Sequence, residues 1–219
     1  MRTKSLCLAA AALAAGVLTS SAQSNVYSLN IVGYVNTVFK GGGAYTLVAN
    51  PLNAPTNDLN SILAPSLPNK STVTTYDGVN YNTYGKAGGV WPSNVFLPPG
   101  TGFFVKNVGA GDITNTFVGD VLTGIPGTNT VAIPAGYSLV GSPLPVGGDI
   151  NSSGPNTLNL SPALPNKAQV VVYDNSTTPG TYLTYGKAGG VFPAATISVG
   201  QGFYIKALTA GSNWVQTLQ

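Results

Sequence analysis

The residues best suited to chemistry in this chain are aromatic, and they come twice. Tyr84 leads into Gly85-Lys86-Ala87-Gly88-Gly89-Val90 and Trp91 closes the loop; Tyr185 leads into the same letters, Gly186 to Val191, and Phe192 closes it. Flat rings among Gly, Asn and Thr suit a sugar-binding face, where they stack on apolar ring faces beside polar donors. Two copies would add avidity. Tyr84, Lys86, Trp91, Tyr185, Lys187 and Phe192 are therefore the candidate ligand-binding positions. The competing reading makes Trp91 and Phe192, each between a Val and a Pro, core plugs beneath their own loops. A demanding turn would then account for the identity of the two loops.

Catalysis has less to draw on. Arg2 and Lys4, the apolar run Leu6 to Leu18 and the small residues Ser20-Ser21-Ala22 read as a secretory signal, residues 1–22. Its apolar run is too short to anchor the chain in a bilayer. Cleavage removes the only Cys, the only Met and the only Arg, and leaves a chain with no His and no Glu. There is then no histidine base, no thiolate, no Glu of a glycosidase pair and no soft-metal ligand set. No catalytic residue, metal site or cofactor is expected. Asp77 and Asp174 occupy equivalent places after Tyr76 and Tyr173, one in each half, and read as turn residues opening hairpins. Asn57-Asp58 and Asp149-Ile150-Asn151 lie in loops but fall short of the ligand count calcium requires. Gly100-Thr101-Gly102 and Gly200-Gln201-Gly202 lack the helix that a phosphate loop needs after it, and read as turns of positive φ.

Nine basic residues less Arg2 and Lys4 leave seven lysines against six Asp. So neutral a surface gives no electrostatic basis for binding nucleic acid or an anionic membrane. Six of the seven lysines fall in matched pairs: Lys70 with Lys167, Lys86 with Lys187, Lys106 with Lys206. They suit solvated strand ends that keep edges unpaired. The sharper alternative is an intramolecular Lys–Asn isopeptide bond, which would lower the mass by one ammonia.

The elements that must position these residues are short strands. Ile31–Val35, Asn36–Val38, Tyr45–Val48, Thr72–Tyr76 and Gly102–Lys106 are bounded by Gly and Pro. They return as Phe117–Val121, Asn129–Val131, Tyr137–Val140, Gln169–Tyr173 and Gly202–Lys206. The one helical hint, Asn57 to Leu63, has a weaker partner in Asn156 to Leu160. The tail, Asn213 to Leu218, is similar to Thr116 to Leu122. The pattern predicts an all-β protein of two tandem modules, residues 23–115 and 116–219, each a small antiparallel β-sandwich or barrel.

Tyr-Ser-Leu-Val, Val-Tyr-Asp and Pro-Gly-x-Gly-Phe-Phe-Val-Lys, with the opening Val26 to Asn36, resemble uncharacterised secreted tandem-repeat proteins of planctomycete and verrucomicrobial bacteria. The resemblance covers nearly everything after the signal. It implies an exported β protein and no reaction, since its motifs are turn and strand residues. Some such proteins carry a hydrophobic sorting tail; this chain, ending Val215 to Gln219, departs from them and is expected to be released. The expectation is a secreted or periplasmic, non-enzymatic structural protein of the cell surface or matrix. It would partner itself through strand edges, above all Val26 to Val35, or alternatively bind a surface polysaccharide through the loop aromatics.

Overall fold

Alternating runs cut by Gly and Pro have little option but to pair antiparallel. The computed structural model of the protein, which describes residues 31–123, 128–177, 179–209 and 212–219, is built almost wholly that way. The expected signal, residues 1–22, lies outside the described residues, as do Val26 to Asn30 of the N-terminal block.

The first module comprises β1 (Val32–Phe39), β2 (Tyr45–Ala49), the single turn α1 (Leu59–Ile62), β3 (Thr72–Tyr76), β4 (Tyr81–Gly85), β5 (Gly102–Lys106) and β6 (Ile113–Asp120). β1 and β6 form a two-stranded ribbon, and the other strands form a sheet in the order β2-β5-β3-β4. Period-two alternation turns Val35, Phe39 and Phe117 of the ribbon inward. There they meet Val48, Val73, Phe103 and Val105 of the sheet, with Leu59, Ile62 and Trp91 filling the remaining space.

The second module repeats the plan with β7 (Thr128–Ile133), β8 (Gly136–Gly141), β9 (Gly148–Asp149), the turn α2 (Leu160–Ala163), β10 (Gln169–Asp174), β11 (Thr181–Gly186), β12 (Thr196–Ile197), β13 (Gly202–Ala207) and β14 (Ser212–Thr217). Its ribbon is β7–β14 and its sheet runs β8-β13-β10-β11, while β9 pairs with β12. Its core joins Ile133 and Trp214 to Val140, Val170, Phe203 and Ile205. Each module is thus a two-layer, sandwich-like unit, and its sheets do not close into a barrel.

Two expectations need correction. The boundary does not fall at residue 115: β6 runs through it and pairs along its whole length with β1, from Phe39 opposite Ile113 to Val32 opposite Asp120. Phe117 to Asp120 therefore closes the first module instead of opening the second, and β7 is the strand that matches β1. The capped turn Asp58 to Ser61 also has a different counterpart. Asp58 accepts from the N–H groups of Asn60 and Ser61, and Ser61 Oγ returns a hydrogen bond to the Asp58 carbonyl. Asp149 accepts from Asn151 N–H, and Ser152 Oγ donates to the Asp149 carbonyl. Asp-x-Asn-Ser is the repeated unit, whereas Asn159 before α2 is left-handed and caps nothing.

The two four-stranded sheets lie face to face, and residues 32–219 form one compact unit. Ala49 N–H donates to the Gly200 carbonyl at 2.9 Å, and Gly141 N–H to the Gly100 carbonyl at 3.0 Å. The pairing is reciprocal: what one module gives, the equivalent residue of the other gives back. Gly102 and Gly202 make this approach possible. A Cβ on Gly202 would stand 2.5 Å from the Val48 carbonyl oxygen, and one on Gly102 2.8 Å from that of Val140. Their φ angles are not positive; Gly100 and Gly200 supply that turn, at +87° and +75°.

Candidate functional site

The repeated loop folds as a latch. Gly88 and Gly89, and again Gly189 and Gly190, take positive φ at both centres of a tight turn closed by Ala87 with Val90 and by Ala188 with Val191. The turn delivers Lys86 and Lys187 inward, 4% and 8% exposed. Lys86 Nζ donates to the Pro65 and Leu67 carbonyls at 2.7 Å each. Lys187 Nζ donates to those of Ser161 and Leu164, at 2.5 and 2.6 Å. Leu-Pro-Asn-Lys is the other half of the latch. Asn69 and Asn166 accept from Gly89 and Gly190 N–H, and Lys70 and Lys167 N–H donate to the Lys86 and Lys187 carbonyls.

Trp91 and Phe192 are each 4% exposed and sit in the module cores, with Tyr84 and Tyr185 packed against them. The rings of Trp91 and Phe192 therefore present no stacking face, Tyr84 and Tyr185 are half-buried, and the lysines are committed to carbonyls. Asn60 and Asn151 hold the backbones of Trp91 and Phe192 in place by paired hydrogen bonds.

Aspartate serves the backbone. Asp77 accepts from Val79 and Asn80 N–H and Asp174 from Ser176 N–H, while Asp112 takes Gly41 N–H and Lys40 Nζ, each at 2.9 Å. Among the described residues no group of three or more His, Cys, Asp or Glu comes together. Lys106 and Lys206 lie over the rings of Tyr45 and Tyr137, 5.3 and 5.2 Å from their centroids.

Those two rings belong to the layer where the sheets meet. Sheet residues alternate between faces, so Val48, Phe103 and Val105 enter the module core while Leu47 and Phe104 face the other module. Leu139, Val171 and Tyr204 meet them there, with Tyr76 and Tyr173 alongside. The aromatic contacts repeat in pairs. Tyr45 stands edge-on to Phe104 at 6.2 Å and Tyr137 to Tyr204 at 6.3 Å; Tyr76 packs on Tyr81 at 4.8 Å and Tyr173 on Tyr182 at 5.1 Å. Across the junction, Phe104 meets Tyr173 at 5.5 Å and Tyr204 meets Tyr76 at 6.0 Å.

The layer does not close completely. One lobe, about 260 Å³, is lined by Tyr45, Thr74, Thr83, Phe104, Tyr173 and Tyr182. Its counterpart, about 430 Å³, is lined by Tyr137, Val171, Thr184, Tyr204, Tyr76 and Tyr81, with Val79 and Tyr182 added. Each lobe draws on both modules. Burial, then the hydrogen bond with Tyr81 at 3.0 Å, pushes the Tyr204 phenol far above its ordinary range. Burial raises that of Tyr182, with Tyr81 and Tyr173 contributing.

No protein family, curated protein or solved structure matches the chain.

Two further surfaces stand out. The outer face of the first ribbon exposes Val32, Tyr34, Val38 and Val118, Tyr34 by 72%, with Tyr34 directly opposite Val118. The second ribbon turns Thr130, Ala132 and Asn213 outward, and none of its described side chains is a large exposed hydrophobic. Of the four strands at the ends of the sheets, β4 and β11 are uncharged, free of proline and mostly exposed. Tyrosines spaced along strands gave no sign of the cleft. A signal was present, however, in the tyrosines that flank both hairpins, Tyr76 with Tyr81 and Tyr173 with Tyr182, with Phe104 and Tyr204 one residue past Phe103 and Phe203.

Proposed function

We propose that the chain is a secreted, non-catalytic structural protein of the cell surface or matrix, and that it packs against copies of itself through the outer face of the β1–β6 ribbon. The observation that carries this reading is the asymmetry of the ribbons. Two modules share one plan, yet among the described residues only the ribbon of the first exposes a row of Val and Tyr side chains. Exposed apolar patches of that kind mark interaction sites. A face that meets its own copy makes an isologous contact, which needs no second partner. β1 is paired with β6 along one edge, and Val32 and Tyr34 contribute to the outer face of the ribbon. The absence of protective charge or proline on β4 and β11 supports a further route to association at the sheet edges.

The signal-like Arg2, Lys4 and Leu6 to Leu18 support export. A non-catalytic role is supported by carboxylates engaged at turns and by residues 23–219 lacking His, Cys and Glu. Light scattering of residues 23–219 across a concentration series tests the reading. Apparent mass is expected to grow with concentration, and the pair Tyr34→Asp and Val118→Lys is expected to hold the protein monomeric. A wild-type monomer at every concentration would sink the proposal.

A further inference from the structure

We propose that the cleft between the modules binds an uncharged saccharide, one ring in each lobe, with Tyr182 standing between them. This is independent of self-association through the ribbon.

The layer is more than packing. Rings that only cement two sheets would be covered by them, yet Tyr45, Tyr81, Tyr137 and Tyr182 are 40%, 58%, 41% and 54% exposed. The lobes are also equivalent: Tyr45, Phe104, Tyr173, Tyr182 and Thr83 of one correspond to Tyr137, Tyr204, Tyr76, Tyr81 and Thr184 of the other. A cleft between domains, apolar but holding a few converging polar groups, is where small ligands are taken up.

The lining selects the ligand. No Asp or Lys lines either lobe; Lys106 and Lys206 lie over the rings of Tyr45 and Tyr137 without lining the lobes themselves. A charged ligand would lose its hydration there without gaining a partner. Tyrosine faces suit the C–H face of a pyranose. Thr74, Thr83, Thr184 and the phenols each donate and accept, as sugar hydroxyls do. A proline-rich segment, the other ligand of aromatic grooves, offers carbonyl acceptors alone and runs along a continuous furrow. Tyr182, which lines both lobes, interrupts this one.

The symmetry breaks where it matters. Tyr81 shares a hydrogen bond with Tyr204, whereas its counterpart Tyr182 stands against the lobe floored by Phe104 and its hydroxyl makes no hydrogen bond among the described residues. The Tyr182 hydroxyl is left for the ligand. Thr74 in the smaller lobe is replaced by Val171 in the larger, so the two lobes differ in polarity and in affinity.

Calorimetric titration of the full secreted chain with cellohexaose, xylohexaose, mannohexaose and laminarihexaose, and with decaproline, tests the assignment. At least one hexasaccharide is expected to bind. Tyr182→Ala, at a half-exposed position, is expected to weaken it by about tenfold or more. Tyr34→Asp on the ribbon is expected to leave it unchanged, which separates this site from the assembly face. On the wild-type protein, saturating sugar is expected to shield Tyr45, Tyr137 and Tyr182 from hydroxyl-radical footprinting. The proposal is overturned if no hexasaccharide binds at up to about 10 mM, if decaproline alone binds, if Tyr182→Ala leaves affinity intact, or if the footprint falls elsewhere.

Discussion

Lys86 buries an ammonium with no carboxylate beside it. The carbonyls of Pro65 and Leu67 converge on the point its stem reaches, and they would be unpaired without it. Lys86→Met keeps the stem and removes the donor. Leaving two buried carbonyls unsatisfied is expected to cost about 2–3 kcal/mol in denaturant unfolding, against about 0.5 kcal/mol or less for Lys70→Met on the surface. Loss of stability in the second variant alone would contradict this account. The loop's identity in both modules was plain in the sequence, but its cause was not. Lysine is among the residue types least often buried, so a Gly-Lys-Ala-Gly-Gly turn reads as exposed until the carbonyls it caps are located. The clue lay in a second motif, Leu-Pro-Asn-Lys, that repeats in step with it. Trp91 was equally ambiguous, since an aromatic between Val and Pro reads the same whether it stacks on a ligand or plugs a core.

Among the elements, the two capped turns offer a matched comparison. Hydrogen bonding, from the Thr56 side chain first and then from Ser61 and Asn60 N–H, holds the Asp58 carboxyl below its ordinary value. A carboxyl depressed in the folded state stabilises at pH above its unfolded value, and that contribution fades as pH falls through the folded one. Asp58→Ala is therefore expected to cost about 1 kcal/mol at neutral pH, and the gap from wild type is expected to narrow below about pH 4. A gap that persists undiminished to pH 2 would show that the carboxylate is not the cause. Strand existence was legible from period-two runs between Gly and Pro. Strand order was not: β5 lies between β2 and β3 because of side-chain packing far along the chain, which no local run encodes. The module boundary was misplaced for the same reason. β6 resembles a beginning by sequence but is an end by pairing.

At the scale of the molecule, two sheets meet through backbone hydrogen bonds and an aromatic layer, and glycine sets the distance. Gly202→Val would drive a side chain into the Val48 carbonyl. It is expected to cost about 1–3 kcal/mol and to speed hydrogen exchange at Ala49 and Gly141, while the core of the first module keeps its protection. Uniform loss of protection through both modules would instead mean that they do not behave as separable bodies joined at this seam. The sequence showed the duplication but not the face it creates, because part of each lobe comes from the other copy. That reciprocity also bears on ancestry. A chain with a single module would present the same half-lined face, and two such chains docked about a dyad would complete two identical lobes. Joining them in one polypeptide removes the demand that the lobes be the same. The exchange of phenylalanine for tyrosine at positions 104 and 204 is then divergence open to a fused pair and closed to a symmetric dimer, in which every substitution appears on both sides at once.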